Sequence, residues 1–134
     1  MTQQARGTFE VKATPQEQTP AVNGNQPSGR FGLRKEFSGP LAGRAVGTML
    51  SVGTPQPGSA ACYVAIDQFS GALDGRPGGF VLVHRGIMTK GGESELDVRI
   101  ATDSGTGQLA GIAGELKIEV RDGKHFYELT YTID

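Results

Sequence analysis

One stretch decides the fold: Ala61-Cys62-Tyr63-Val64-Ala65-Ile66-Asp67-Gln68-Phe69-Ser70-Gly71-Ala72-Leu73-Asp74-Gly75, followed after Arg76-Pro77-Gly78 by Gly79-Phe80-Val81-Leu82-Val83-His84-Arg85-Gly86. The run Ala61 to Phe69 is β-like on both parities. Cys62, Val64 and Ile66 share one side, and Tyr63, Ala65 and Phe69 share the other with Asp67. Gly79 to Met88 is also apolar on both parities. Such strands are usually covered on both faces. The glycine-bracketed segment between them reads as a turn, so the two runs form an antiparallel hairpin.

The same two-residue period extends outward from this hairpin. Thr8 to Ala13 sets Phe9 and Val11 against Glu10 and Lys12. Phe31 to Phe37 sets Phe31, Leu33 and Phe37 against Arg34 and Glu36, with Lys35 on the apolar parity. Arg44 to Val52 sets Val46, Leu50 and Val52 against the small residues Ala45, Gly47 and Ser51. Leu96, Val98 and Ile100 alternate with Glu95, Asp97 and Arg99, and Leu116, Ile118 and Val120 with Glu115, Lys117 and Glu119. Asp122-Gly123 is the strongest short hairpin signal, and Tyr127, Leu129, Tyr131 and Ile133 then share one face. Thr14 to Ser28, rich in Pro, Gln and Asn, reads as a long mobile loop. Gly53 to Ser59, with two prolines and two glycines, reads as a turn. Thr106 to Ile112 is the best helical candidate and amounts to a single turn.

About eight short strands, glycine-rich turns and no helical stripe predict an all-β domain. A closed eight-stranded antiparallel β-barrel or a sandwich satisfies that pattern, and parallel βαβ folds are excluded for want of crossover helices. An internal echo favours the barrel. Phe37-Ser38-Gly39-Pro40-Leu41-Ala42-Gly43 matches Phe69-Ser70-Gly71-Ala72-Leu73-Asp74-Gly75, and Gly107-Gln108-Leu109-Ala110-Gly111 repeats its core. The shared Gly-x-Leu-x-Gly reads as a corner whose leucine plugs the barrel end.

Composition bounds the function. A chain of 134 residues suits one domain spanning residues 1–134. Glycine takes 21 positions, more than twice the usual share of about 7%. Thirteen basic and 14 acidic residues give a net charge of −1, which offers no footprint for nucleic acid. The longest apolar stretch, Phe80 to Val83, is far too short for a bilayer helix. One cysteine, Cys62, excludes an internal disulfide and reads as a small buried apolar residue. The polar start, Met1 to Gly7, lacks a signal-type apolar core, so a cytoplasmic protein is expected. Two histidines without ligand spacing predict no metal, and no phosphate loop or other cofactor motif is present.

The residues that can carry chemistry are few. His84 shares parity with Phe80 and Leu82, and Asp67 with Tyr63, Ala65 and Phe69 on the preceding strand. The hairpin brings Asp67 and His84 within reach. A carboxylate there fixes the imidazole tautomer, and the pair serves either as an acid/base or as a buried structural hydrogen bond. Tyr63, Asp67 and His84 are the candidate catalytic groups. Tyr63, Phe80, Leu82, His84, Tyr127 and Tyr131 are the candidate lining of a ligand site. Lys35 and Glu10 are lesser candidates: Lys35 binds an anion from the apolar parity, or a bulge turns it into solvent. His125, beside a turn, is expected to be exposed.

The hairpin stretch, together with Gly7-Thr8-Phe9-Glu10-Val11, Phe37-Ser38-Gly39-x-Leu41, Gly105-Thr106-Gly107-x-Leu109-x-Gly111 and Tyr127-x-Leu129-x-Tyr131, resembles a bacterial family of uncharacterised small proteins. That family is similar to the allene oxide cyclase-type, calycin-like barrel shared with dirigent proteins and some bacterial polyketide cyclases. The resemblance implies an eight-stranded barrel and homo-oligomers, dimers or trimers, but no particular reaction. The chain departs from the pattern at Ala13-Thr14-Pro15-Gln16. Three functions fit: a barrel that binds a small apolar ligand, a cyclase or isomerase acting on a reactive small molecule, and an oligomerisation module with a packed lumen.

Overall fold

The computed structural model describes residues 2–53 and 58–133. The turn expected over Gly53–Ser59 lies in part, over 54–57, outside them. Nine strands follow in chain order: β1 (Gln3–Thr19), β2 (Ser28–Ser38), β3 (Leu41–Val52), β4 (Ala61–Leu73), β5 (Arg76–Met88), β6 (Ser94–Ile100), β7 (Thr106–Gly107), β8 (Ile112–Arg121) and β9 (Lys124–Ile133). All pairings are antiparallel. The sheet runs β4-β3-β2-β1-β9-β8-β6-β5, and the β4–β5 pairing closes it into a barrel of eight strands. The two-residue β7 joins the edge of β5 through Gly78↔Gly107 and Gly79↔Thr106. Among the described residues there is no helix. Thr106 to Ile112 begins as β7 and continues as a turn, with Leu109 N–H donating to Thr106 O at 3.0 Å and Ile112 N–H to Leu109 O at 3.1 Å.

The Pro/Gln-rich loop is shorter than composition predicts. β1 continues through Thr19 and pairs with β2 as far as Thr19↔Ser28, so only 20–27 lie outside the strands. Pro15 is tolerated because β9 pairs with β1 only over Gln3–Phe9, leaving that end of β1 with one neighbour. The register shifts between Pro15 and Glu17, a bulge where a missing N–H costs little. Cross-strand pairing overrides the local loop preference of these residues.

Three corners close one end of the barrel. Leu41, Leu73 and Leu109, the leucines of the repeated motif, are each completely buried. Gly43 pairs with Gly71, and each backbone occupies the space a side chain on the other would need. Gly43 also adopts φ 147°, which disfavours any L side chain. Asp74-Gly75 and Asp122-Gly123 turn with positive φ at both positions, the form that matches strand twist in two-residue hairpins. Tyr127 secures the β2–β3 corner: its hydroxyl accepts from Leu41 N–H at 3.0 Å and reaches Ser38 O at 3.0 Å.

Above this end the lumen is filled by aromatics. Phe9 stacks on Phe37 at 5.1 Å, Phe37 meets Phe69 edge-on at 5.8 Å, and Phe69 stacks on Phe80 at 4.9 Å. The outer wall departs from the sequence reading. β3 turns Ala45 and Gly47 inward, with Val46, Leu50 and Val52 outward. On β4 and β5, Val64, Ile66 and Val83 also face out and stand exposed on the chain. Cover on both faces of these strands, expected from their double-parity apolarity, is therefore absent on the outer side of the single chain. Cys62 shares that outward parity and is exposed, not buried.

Candidate functional site

The polar residues inside the barrel converge on one cluster. Lys35 on β2, Asp67 on β4 and His84 on β5 are the buried charged or polar side chains of the described core. Lys35 Nζ donates to Asp67 Oδ2 at 2.6 Å, and His84 Nε2 lies 2.8 Å from the same oxygen. Lys35 Nζ and His84 Nε2 are 3.3 Å apart. The intervening strand explains how Lys35 reaches β4: β3 presents Ala45 and Gly47 inward, and Gly47 pairs with Asp67. A Cβ at Gly47 would strike Asp67 Oδ1 and the Ile66 carbonyl. Gly47 is thus the niche in which the carboxylate sits.

The geometry assigns the protons. Two acceptors do not approach to 2.8 Å without a proton between them, so His84 Nε2 carries hydrogen and donates to Asp67. Lys35 therefore cannot donate to Nε2, and one of its three N–H bonds is spent on Asp67. Its ammonium also lies 5.9 Å from the centre of the Phe9 ring. Burial pushes the Asp67 carboxyl up, but the His84 hydrogen bond and the charge and hydrogen bond of Lys35 outweigh it, holding it below the usual range. Asp67 is ionised, and its Oδ1 has no hydrogen-bond partner among the described residues. Tyr63 is pushed up by burial and then by the Asp67 charge, so its hydroxyl keeps its proton.

A cavity of about 230 Å³ lies over the cluster, with Phe9, Leu33, Lys35, Met49, Tyr63 and His84 on its walls. Its rim is apolar and open: Val11 is 38% exposed, Leu96 45% and Val120 59%. The barrel wall helps to open this mouth. β6 and β8 pair only at Arg99↔Glu115, so the ladder ends before Leu96 and Val120. His125, expected in solvent, is half-buried, lies 5.2 Å from the Phe9 ring and joins the cavity wall. A larger hollow of about 600 Å³ is lined by Leu50, Val52, Val64 and Ile87 among others and touches none of the three clustered residues.

Of the residues singled out in sequence, Tyr63 and His84 line the cavity and Asp67 lies beneath it. Phe80, Leu82, Tyr127 and Tyr131 do not line it; they belong to the packed core. The tyrosine hydroxyls are engaged elsewhere, Tyr127 at the β2–β3 corner and Tyr131 with Asp74 and Gln3. Glu10 points outward. Lys35 is the member that sequence ranked too low. Its place on the apolar parity of β2 is one signal in the sequence, and the small residues Ala45 and Gly47 of β3 are a second.

A closed antiparallel barrel, packed at one end and hollow over a buried ionic cluster at the other, defines the class of small single-lumen barrels. The chain belongs to the DUF3224 family of proteins of unknown function, whose family model matches residues 5–131. It is similar to the crystal structure of a protein of unknown function from that family in Shewanella oneidensis MR-1. The two share 40% identity and a TM-score of 0.90, over 100% of this chain and 99% of that one. No curated protein matches the chain. No helix among the described residues is long and apolar enough to cross a membrane.

Proposed function

We propose that this protein holds a small, largely apolar molecule in the open half of its barrel. The observation that carries this reading is the cavity of about 230 Å³ with an apolar rim and a polar floor. Pockets of that make-up bury the ligand's hydrocarbon and orient it with a few polar groups. An apolar cavity of about 150 Å³ accommodates benzene, so this one accommodates roughly nine non-hydrogen atoms. The single cysteine supports a reducing, cytoplasmic setting. The test is a titration of the labelled protein with toluene and benzyl alcohol, followed by amide and methyl NMR. Saturable shifts confined to residues around Phe9, Met49 and His84 are expected. Shifts on the outer face alone would remove the lumen from consideration.

A second reading, a cyclase or isomerase of the allene oxide cyclase type, is favoured by one observation. A lumen serving only as a greasy cup has no need of a buried Lys35–Asp67–His84 cluster, whose desolvation is costly.

A further inference from the structure

The cluster has unspent hydrogen-bonding capacity, and that capacity has a direction. Asp67 Oδ2 takes one N–H from Lys35 and one from His84. Among the described residues, no other acceptor bonds Lys35, which keeps N–H capacity beside the cavity. His84 Nδ1, with Nε2 committed to the carboxylate, likewise has no partner among the described residues, and its ring lines the cavity. A cationic donor and the uncommitted imidazole nitrogen thus meet at the bottom of one small, largely apolar volume. The carboxylate behind the imidazole fixes its tautomer and stabilises the imidazolium that forms when Nδ1 takes a proton. Lys35 is already charge-balanced by Asp67, so a second anion in this dry site would be unbalanced. An uncharged carbonyl oxygen suits the free N–H without that cost.

We infer that the site catalyses proton transfer at the carbon next to the carbonyl of a small, mainly apolar ketone or aldehyde. This deepens the lumen-binding reading and rests on it. Lys35 N–H donates to the carbonyl oxygen. His84 Nδ1 removes the α-proton: the C–H bond breaks, its electron pair forms the C=C bond, and the carbonyl pair moves to oxygen. The resulting enolate is held by the Lys35 ammonium, which needs no reorganisation to meet the charge. Return of the proton from Nδ1 to the same or a conjugated carbon restores neutral His84 and completes exchange or isomerisation. No oxidant or other reactant is required. Asp67 is a positioning residue in this scheme.

The probe is acetophenone, a methyl ketone of about the size the cavity admits. In D₂O, α-deuteration is followed by proton NMR, and binding by chemical-shift titration of the same sample. Free imidazole and unfolded protein at matched concentration set the background. Saturable exchange above that background is expected. His84→Gln and Lys35→Met should each lose about 100-fold or more in the exchange rate while keeping the wild-type far-ultraviolet circular dichroism spectrum, which shows that the barrel stands. Should Lys35→Met fail to fold, His84→Gln together with the wild-type comparison decides the matter. Acetophenone that binds in the lumen without exchanging overturns the activity and leaves the binding reading intact. No lumen binding of toluene or acetophenone overturns both. A borohydride-trapped adduct on Lys35 overturns its role as donor, because it would show a neutral amine acting as nucleophile.

Discussion

Replacing Lys35 with Met tests the physical account of the cluster. The two long side chains are similar in volume, so the change removes charge rather than packing. What remains is an ionised Asp67 with its side chain 1% exposed and one donor, His84 Nε2, where it had two. Exposed ion pairs contribute about 0.2–1 kcal/mol. Removing one partner of a buried pair costs about 3–5 kcal/mol, since the surviving charge is stranded away from water. Lys35 at 8% side-chain exposure and 2.6 Å belongs to the second class. A domain of this size holds about 5–15 kcal/mol in total, so the variant should fold with much reduced margin. With a urea dependence of about 2 kcal/mol per molar, the midpoint should fall by roughly 1.5–2.5 M. Lys35→Met/Asp67→Asn removes both charges but leaves an acceptor for His84 Nε2, and should recover at least half of the loss. Urea melts of the three proteins at pH 7, followed by far-ultraviolet circular dichroism, make the measurement. A loss below about 1 kcal/mol, or a double variant no more stable than the single one, would refute the assignment of a dry, charge-coupled cluster.

Other perturbations read separate parts of the structure. Gly47→Ala places a methyl against the Asp67 carboxylate and should cost about 1–3 kcal/mol by overpacking. Gly91→Ala, whose Cβ would lie 3.9 Å from Thr89 Oγ1, should leave the urea midpoint unchanged, and equal effects would count against the niche. Leu73→Ala empties a completely buried corner position and should cost about 2–5 kcal/mol; a smaller loss would mean the corner does not plug the barrel. Cys62 is exposed, so a thiol reagent should label the native protein as fast as the urea-unfolded one, whereas native-state protection would contradict its outward placement. Asp67 is held low in the folded chain, so its stabilisation is complete above the unfolded value near 3.9 and is lost as pH falls through the lower folded value. Stability measured against Asp67→Asn should therefore narrow on acidification below about pH 4. Tyr131 is pushed up to about 12 by burial and by its Asp74 partner. The wild type should consequently lose stability relative to Tyr131→Phe as pH rises from about 10 towards 12; an unchanged difference would deny that coupling.

Much of the cluster was legible before the fold was known. Asp67 and His84 could be paired because a hairpin joins two short strands and the period-two rule places both on one side. The parity of β4 and β5 survived in the structure since no bulge interrupts their ladder from Ala61↔Met88 to Leu73↔Arg76. Lys35 was harder. Its partner is 32 residues away across an intervening strand, and the contact exists only because that strand turns Ala45 and Gly47 inward. The tyrosines misled for a related reason. Tyr127 and Tyr131 do face inward, yet at the packed end, where Leu41, Ser38, Asp74 and Gln3 take up their hydroxyls.

Taken alone, the chain's two-residue periodicity and its Asp-Gly turns determine an antiparallel all-β domain, and its thrice-repeated Gly-x-Leu-x-Gly favours a barrel with leucine-plugged corners over a sandwich. These are local signals, because strand period, turn type and corner spacing each lie within a few residues. Tertiary structure decides which half of the lumen is full and which is hollow. It also turns the apolar parity of β3 outward, draws 14–19 into the sheet and seats Lys35 on Asp67. Each of those outcomes depends on how strands distant in sequence are staggered around the closed barrel. That stagger is a property of the whole ring of hydrogen bonds and is written in no single segment.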